Sequence, residues 1–289
     1  MSQLGLQELC SSENADLDIV FVHGLFGNRV NTWTTNGVLW PKQLLGEDLP
    51  KARIFTFGYD ADVTKFNLDQ EVTKGTMESH AADLCERLAG IRVKTESMVV
   101  KGALGDGTDN ASLIASHTRG MVFLGTPFHG SPAAPWGKAI STMVSIIHDA
   151  DSQKVKDLKQ KSEKLQILAD SFASALHQRI RDNNEIRVAF FNETKKLHGV
   201  LVVPERNSWI PGFGDHASIN ADHSTMCKFA DQDSPGYQSV LAAILKVSAK
   251  DDGGPEEASR GRSIVNNNWG EVKNQVLGDQ TIQGDMNFN

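Results

Sequence analysis

Two short stretches of this chain have residue types and spacing suited to acyl-group chemistry. The first is His23-Gly24-Leu25-Phe26-Gly27, directly after the apolar run Asp18-Ile19-Val20-Phe21-Val22. A tetrahedral oxyanion needs preorganised backbone N–H donors, and a glycine-flanked turn at the end of a strand presents them. The donors in this turn would be the N–H groups of Leu25 and Phe26. The second stretch is Asn220-Ala221-Asp222-His223, and a further glycine-bounded turn, Gly125-Thr126-Pro127-Phe128-His129-Gly130-Ser131, belongs with it. A G-x-S-x-G nucleophile elbow occurs nowhere in the 289 residues.

The bulk properties set the frame. With 39% hydrophobic residues, a chain of this length buries one large α/β core, or one core plus an accessory segment. A formal charge of −7 argues against non-specific nucleic-acid binding, which needs a basic footprint. Cys10, Cys85 and Cys227 show neither paired nor metal-ligand spacing, which suits a reducing compartment. No basic n-region leads into an apolar h-region, and no apolar run approaches the roughly 18 residues of a membrane span. The expectation is a soluble cytoplasmic protein with no metal and no cofactor.

The elements that must position the chemistry are legible as apolar runs bounded by glycine or proline. Asp18–Val22, Arg53–Phe57 and Gly120–Leu124 read as strands buried on both faces of a parallel sheet. Arg187–Phe191 and Gly199–Val203 are two more strand candidates. Trp40-Pro41 opens a helix with proline in its first turn. Ala81, Leu84, Cys85 and Leu88 repeat at helical spacing from about Met77. Ala134 to Asn183 reads as helical, with Lys154–Lys164 as a solvated charged face, and Tyr237–Val247 as a closing amphipathic helix. Strands alternating with helices predict a doubly wound, mostly parallel sheet. The polar stretch 249–263 then reads as a linker, setting a domain at 15–248 apart from a short module at 264–289.

On three pieces together the chain resembles the lipase-like serine esterases of the α/β-hydrolase superfamily found as effector domains beside fungal NOD-like receptors and incompatibility proteins. The pieces are Val20-Phe21-Val22-His23-Gly24-Leu25 with Trp33 after it, Thr118 through Pro127, and Asn220-Ala221-Asp222-His223 followed by Met226-Cys227-Lys228-Phe229. The resemblance implies a serine hydrolase acting on carboxylesters or lipids. It places the catalytic base at His223 and the acid after the preceding strand, at Glu205 in Val202-Val203-Pro204-Glu205. Asp222 is the rival acid, but a neighbour in sequence rarely reaches the same imidazole's Nδ1. His129 and His198 read as surface or loop residues.

The resemblance also locates what is missing. Between the helix ending near Leu88 and Val99 the family carries a strand and then a strained turn that lifts the serine Oγ clear of the sheet. Here Val93-Lys94-Thr95-Glu96 runs straight into Ser97-Met98-Val99-Val100, short by roughly a dozen residues for a strand plus elbow. Ser97 follows no strand and has no flanking glycines, and Ser116 precedes its strand where an elbow serine follows one. Neither is a displaced nucleophile. An in-frame loss fits the clean resumption of the pattern at Met98.

The module at the C-terminus has low net charge, no proline, and β-formers interleaved with amides. Asn268, Trp269, Gly270, Val272, Val276, Gly278, Gln280, Ile282, Gly284 and Phe288 carry a pattern in which stacked copies would form amide ladders and dry apolar interfaces. It resembles the sigma-like prion-forming motifs through which an effector is templated by a matching motif on a NOD-like receptor. The expected whole is an effector of the esterase family that self-assembles through its tail and is silent in hydrolysis for want of a serine. The alternatives are an active hydrolase using another serine, and a purely signalling or assembly protein.

Overall fold

The computed structural model describes residues 4–61, 77–94, 109–128 and 152–249. Strand β1 (Gly5–Cys10) lies ahead of the expected start of the domain and is nonetheless part of the sheet: the first compact unit runs from Met1 to Ala249. β2 (Leu17–Val22) leads into the His-Gly turn. A small hairpin of β3 (Thr34–Thr35) and β4 (Val38–Leu39) turns at Asn36-Gly37, both at positive φ (50° and 78°). That is the geometry an Asn-Gly pair supplies in a two-residue turn. Two one-turn helices follow, α1 (Trp40–Gln43) with Pro41 in its first turn and α2 (Leu45–Asp48). β5 (Ala52–Gly58) then pairs antiparallel with β1 and parallel with β2, Leu17 facing Ala52 and Val22 facing Phe57.

Two helices come next, α3 (Met77–Lys94) and α4 (Asn110–His117), the latter capped by Asp109 accepting the Ser112 N–H. Residues 95–108 between them, including the Glu96–Met98 junction and Ser97, lie outside the described residues. β6 (Gly120–Leu124) starts a second sheet. After the long helix α5 (Ser152–Arg181), β7 (Arg187–Glu193) lies parallel to β6, and β8 (Asp215–Ile219) lies parallel to β7. Helix α6 (Pro235–Ser248) closes the unit and packs on β6 and β7. It lies so close that a Cβ on Gly120 would sit 2.5 Å from that of Val247. The linker after Ala249 and the whole 264–289 module lie outside the described residues.

Among the described residues the doubly wound, mostly parallel sheet, expected without its elbow-bearing strand, falls into two three-stranded sheets, β1-β5-β2 and β6-β7-β8, with no strand joining β2 to β6. The middle strands β5 and β7 are almost wholly buried, whereas β6 is half-buried throughout and β2 ends on a half-exposed Val22. Gly199–Val203, expected as a strand, is not one. Leu197 and Val200 exchange backbone hydrogen bonds at 2.9 and 3.0 Å across a turn with His198 and Gly199 at positive φ. Val202 and Val203 are buried because that turn folds under, which is why the run looked like a strand.

With no ladder between the sheets, one aromatic assembly spans them. Trp40, fully buried, meets Phe21 of β2 edge-on at 5.0 Å, Phe229 at 5.1 Å and Tyr237 of α6 at 5.8 Å. Its indole N–H donates to the Cys227 carbonyl at 2.9 Å, and the Tyr237 hydroxyl reaches Asp48. Edge-to-face pairs of this kind add to the area they bury. Trp40→Ala should therefore cost about 3–5 kcal/mol, the range for truncating a buried aromatic. Urea unfolding followed by far-UV circular dichroism checks this. A loss under about 1 kcal/mol would mean that other contacts hold the halves together.

Candidate active site

Glu193 ends β7, and Gly125 follows β6 beside it, its N–H donating to the Phe191 carbonyl at 2.8 Å. The Glu193 side chain is 0% exposed. Its Oε1 accepts the Val203 N–H at 2.7 Å, and its Oε2 faces Nδ1 of His223 at 3.4 Å. The adjacent Asn192 is buried as well, accepting from Ser218 Oγ at 3.0 Å and donating to the Glu193 carbonyl at 3.1 Å. The imidazole is thus backed by a carboxylate fixed from two sides. Glycine at position 125 lets it fit there: φ is +61°, and a Cβ would come within 2.8 Å of His223 Cε1 and of Met226 Sδ.

The carboxylate beside His223 is therefore Glu193, where the sequence pointed to Glu205. Glu205 lies in a short 3-10 turn, 66% exposed, with Oε1 3.4 Å from Nε2 of His216. Because 199–203 is a turn, the chain delivers the Val203 N–H to the site and carries Glu205 away from it. Asp222 has a different role, as a cap accepting the Ser224 N–H (2.9 Å), the Ser224 hydroxyl (2.7 Å) and the Thr225 N–H (3.1 Å). Burial pushes its carboxyl up, but those hydrogen bonds outweigh it and leave the pKa below the ordinary value.

The two expected oxyanion donors differ. Phe26 sits at φ 57°, and its N–H already donates to the Ala61 carbonyl at 3.1 Å. It is not available to a ligand, a correction to the sequence reading. Leu25 N–H has no acceptor among the described residues and stays a candidate. His23 organises this turn. Its Nδ1 bonds the Gly24 carbonyl at 3.0 Å, its Nε2 accepts the Tyr59 N–H at 3.3 Å, and its ring stacks on Tyr59 at 4.5 Å. Both nitrogens are engaged in the manner of a neutral imidazole.

No side chain among the described residues replaces the serine. No hydroxyl hydrogen-bonds His223. Ser116 Oγ lies 2.8 Å from the Leu113 carbonyl and 3.1 Å from Nδ1 of His117, which is itself 2.9 Å from the same carbonyl; the pair closes the last turn of α4 ahead of β6, not an elbow after a strand. Cys227 follows His223 closely, but burial pushes its thiol up to about 12, and a protonated thiol is a poor nucleophile. His129 lies outside the described residues, and His198 sits exposed in its turn, as a loop residue. Among the described residues no cluster could hold a metal ion. The sequence reading missed Glu193. Its one available signal was a charge ending the otherwise apolar run Val188–Phe191.

The chain is similar to a curated protein, SERAC1. It is 26% identical over 273 residues to the mouse protein, using 83% of this chain and 40% of that one. The zebrafish protein is 26% identical over 263 residues, 78% and 38% of the two chains. The chain thus spans about 40% of the length of the relatives it matches. A match running over 273 positions while using 83% of a 289-residue chain means that the relative holds stretches this chain lacks. Among solved structures it overlaps a Vlm2 thioesterase domain bound with a dodecadepsipeptide, at TM-score 0.35 and 15% identity over 85% of this chain and 99% of that one. The surfactin-cyclising thioesterase domain SrfTE overlaps at TM-score 0.32 and 11% identity, over 85% and 96%. Superpositions this loose carry no argument about chemistry. No protein-family profile matches the chain.

The His23 geometry has a consequence for stability. Burial lowers its pKa below 6.5, partly offset by the Gly24 hydrogen bond. Below pH 6.5 the unfolded chain therefore binds the proton more readily than the folded one, so stability is full above that pH and falls beneath it. Urea midpoints should drop as pH is lowered from 7.5 toward 5. The His23→Gln variant, which cannot titrate there, should show a shallower drop; an equal drop in both would remove His23 from the account.

Proposed function

We propose that this chain is a hydrolase-fold relative of SERAC1 that keeps a base and its acid but does not turn over esters. The observation that carries this reading is the Glu193–His223 pair, in place with no hydroxyl bonded to the imidazole and no strand between β2 and β6 among the described residues. An acyl-transfer site needs the nucleophile within hydrogen-bond reach of its base, and the elbow that would supply it is absent from the sequence. A longer form carrying that elbow would be the active esterase, with His223 as base, Glu193 orienting it, and Leu25 N–H as one oxyanion donor. The purified chain should give background turnover of p-nitrophenyl esters and no fluorophosphonate label. Turnover abolished by His223→Ala would show that another residue serves as nucleophile.

The same proposal gives the tail its part. Residues 264–289 make this chain an effector-type protein that assembles through stacked amide and apolar residues, templated by a matching motif on a NOD-like receptor. Support comes from the sequence of that segment alone: its Asn and Gln content, spaced glycines and lack of proline. Among the described residues no helix is long and apolar enough to cross a membrane. The full-length chain should form thioflavin-positive fibres with a meridional reflection near ~4.7 Å, the cross-β spacing. The Val276→Pro variant should not. Persistent monomer in the unsubstituted chain would overturn this part and leave the first intact.

A further inference from the structure

Four strands end the two three-stranded sheets, and they divide into two kinds. β1 and β8 are composed as outer edges: β1 carries Gln7 and Glu8, and β8 is Asp215-His216-Ala217-Ser218-Ile219, exposed over its first four residues. Polar and charged side chains are how natural edges avoid pairing with other chains. β2 and β6 carry no such protection. β6 is Gly120-Met121-Val122-Phe123-Leu124, with no polar side chain. In β2 the one charge, Asp18, is tied by Arg53 at 2.7 and 2.9 Å and by Arg92 at 3.2 Å. Both strands are composed for the middle of a sheet, yet among the described residues each has one strand partner.

The two strands border one core. Ile19 and Phe21 of β2 belong to the same apolar cluster as Val122 and Leu124 of β6, while Met121 and Phe123 face a second cluster on the other side. Beside Phe21, at 5.1 Å, lies Trp33, 6% exposed, whose indole N–H meets no acceptor among the described residues. A buried donor left unpaired costs about 1–3 kcal/mol, so such groups are rare unless something binds there.

We propose that the open edges of β2 and β6 form a binding site for an extended peptide of about five residues, uncharged and apolar on both faces, added as a central strand. Unpaired N–H and C=O groups in ladder spacing select an extended backbone. The apolar clusters flanking β6 select β-branched side chains on both faces of that backbone. The length is that of β6, five residues, and the direction parallel, as on the other side of both strands. This site rests on the ladder edges and not on the functional reading above.

The test uses the full chain and a fluorescein-labelled peptide, Lys-Val-Ile-Val-Ile-Val-Gly-Lys, with lysines at the ends for solubility. Its control is the same peptide N-methylated at alternate residues, equally apolar but unable to complete a ladder. Anisotropy should show saturable binding at least about tenfold tighter for the parent, as expected for several lost backbone hydrogen bonds. Amide exchange should slow on peptide addition at Val20–Val22 and Met121–Leu124. Equal binding of both peptides, or slowing confined to β1 or β8, would overturn the proposal. So would a dimer by light scattering whose β2 and β6 amides are already protected without peptide, because the occupant would then be a second copy of the chain.

Discussion

The hydrogen bond from Trp40 to the Cys227 carbonyl, with the ring stack around it, is the constraint on which the rest of this molecule depends. In an unbroken parallel sheet, the halves of such a domain are fixed by backbone ladders in defined register. Here the ladder stops at β2 and starts again at β6. Register between the halves is set by side chains: Phe21 from the first sheet, Trp40 from the helix beyond it, Phe229 and Tyr237 from the far end of the chain. Packing of this kind is less directional than a ladder, but it tolerates the loss of a strand because Trp40 meets four rings and each of those meets a second. The acceptor, Cys227, lies four residues after His223, so the same contact also fixes the loop that bears the imidazole.

That coupling explains how an ordered Glu193–His223 pair coexists with an interrupted sheet. Glu193 lies on β7, the middle strand of its sheet and one whose ladders are complete on both sides. His223 lies beyond β8, in a segment held by the Asp222 cap, the Gly125 contact and Trp40. The strand under Glu193 does not border the interrupted region, whereas Trp40 reaches across it by packing on Phe21 of β2. The oxyanion side is different. Leu25 follows β2, the strand with the open edge, and its turn is braced by His23, Tyr59 and the Phe26 bond to Ala61. The base and the oxyanion donor thus rest on different sheets that Trp40 links.

The sequence was a good guide to elements that are apolar on both faces and a poor one to those that are not. β2, β5, β6 and β7 announce themselves as runs of β-branched and aromatic residues, and α6 by its helical spacing. β1 and β8 escape because their runs are broken by polar residues, the composition that also keeps edge strands from pairing elsewhere. Val202-Val203 misleads in the opposite sense, since a buried turn and a buried strand use the same residues. The acid was misplaced for that reason: taking 199–203 as a strand put Glu205 at its end, whereas the strand that ends on the acid is β7. His223 was legible from its neighbours, but its partner lies thirty positions away and is joined to it only by the fold.

An intact acid–base pair is weak evidence of catalysis in this setting, and the reason is energetic. A fully buried carboxylate costs several kcal/mol of desolvation unless its oxygens are satisfied. Glu193 satisfies one through Val203 N–H and the other through His223. Removing either partner would leave a buried charge without compensation, which commonly costs about 3–5 kcal/mol. The pair therefore also pins the 197–203 turn and the 222–226 segment against the end of β7. It supports the fold whether or not a serine faces it, so a chain that lost its nucleophile would still need both residues. Activity then has to be judged by whether a hydroxyl stands opposite the imidazole, and among the described residues none does.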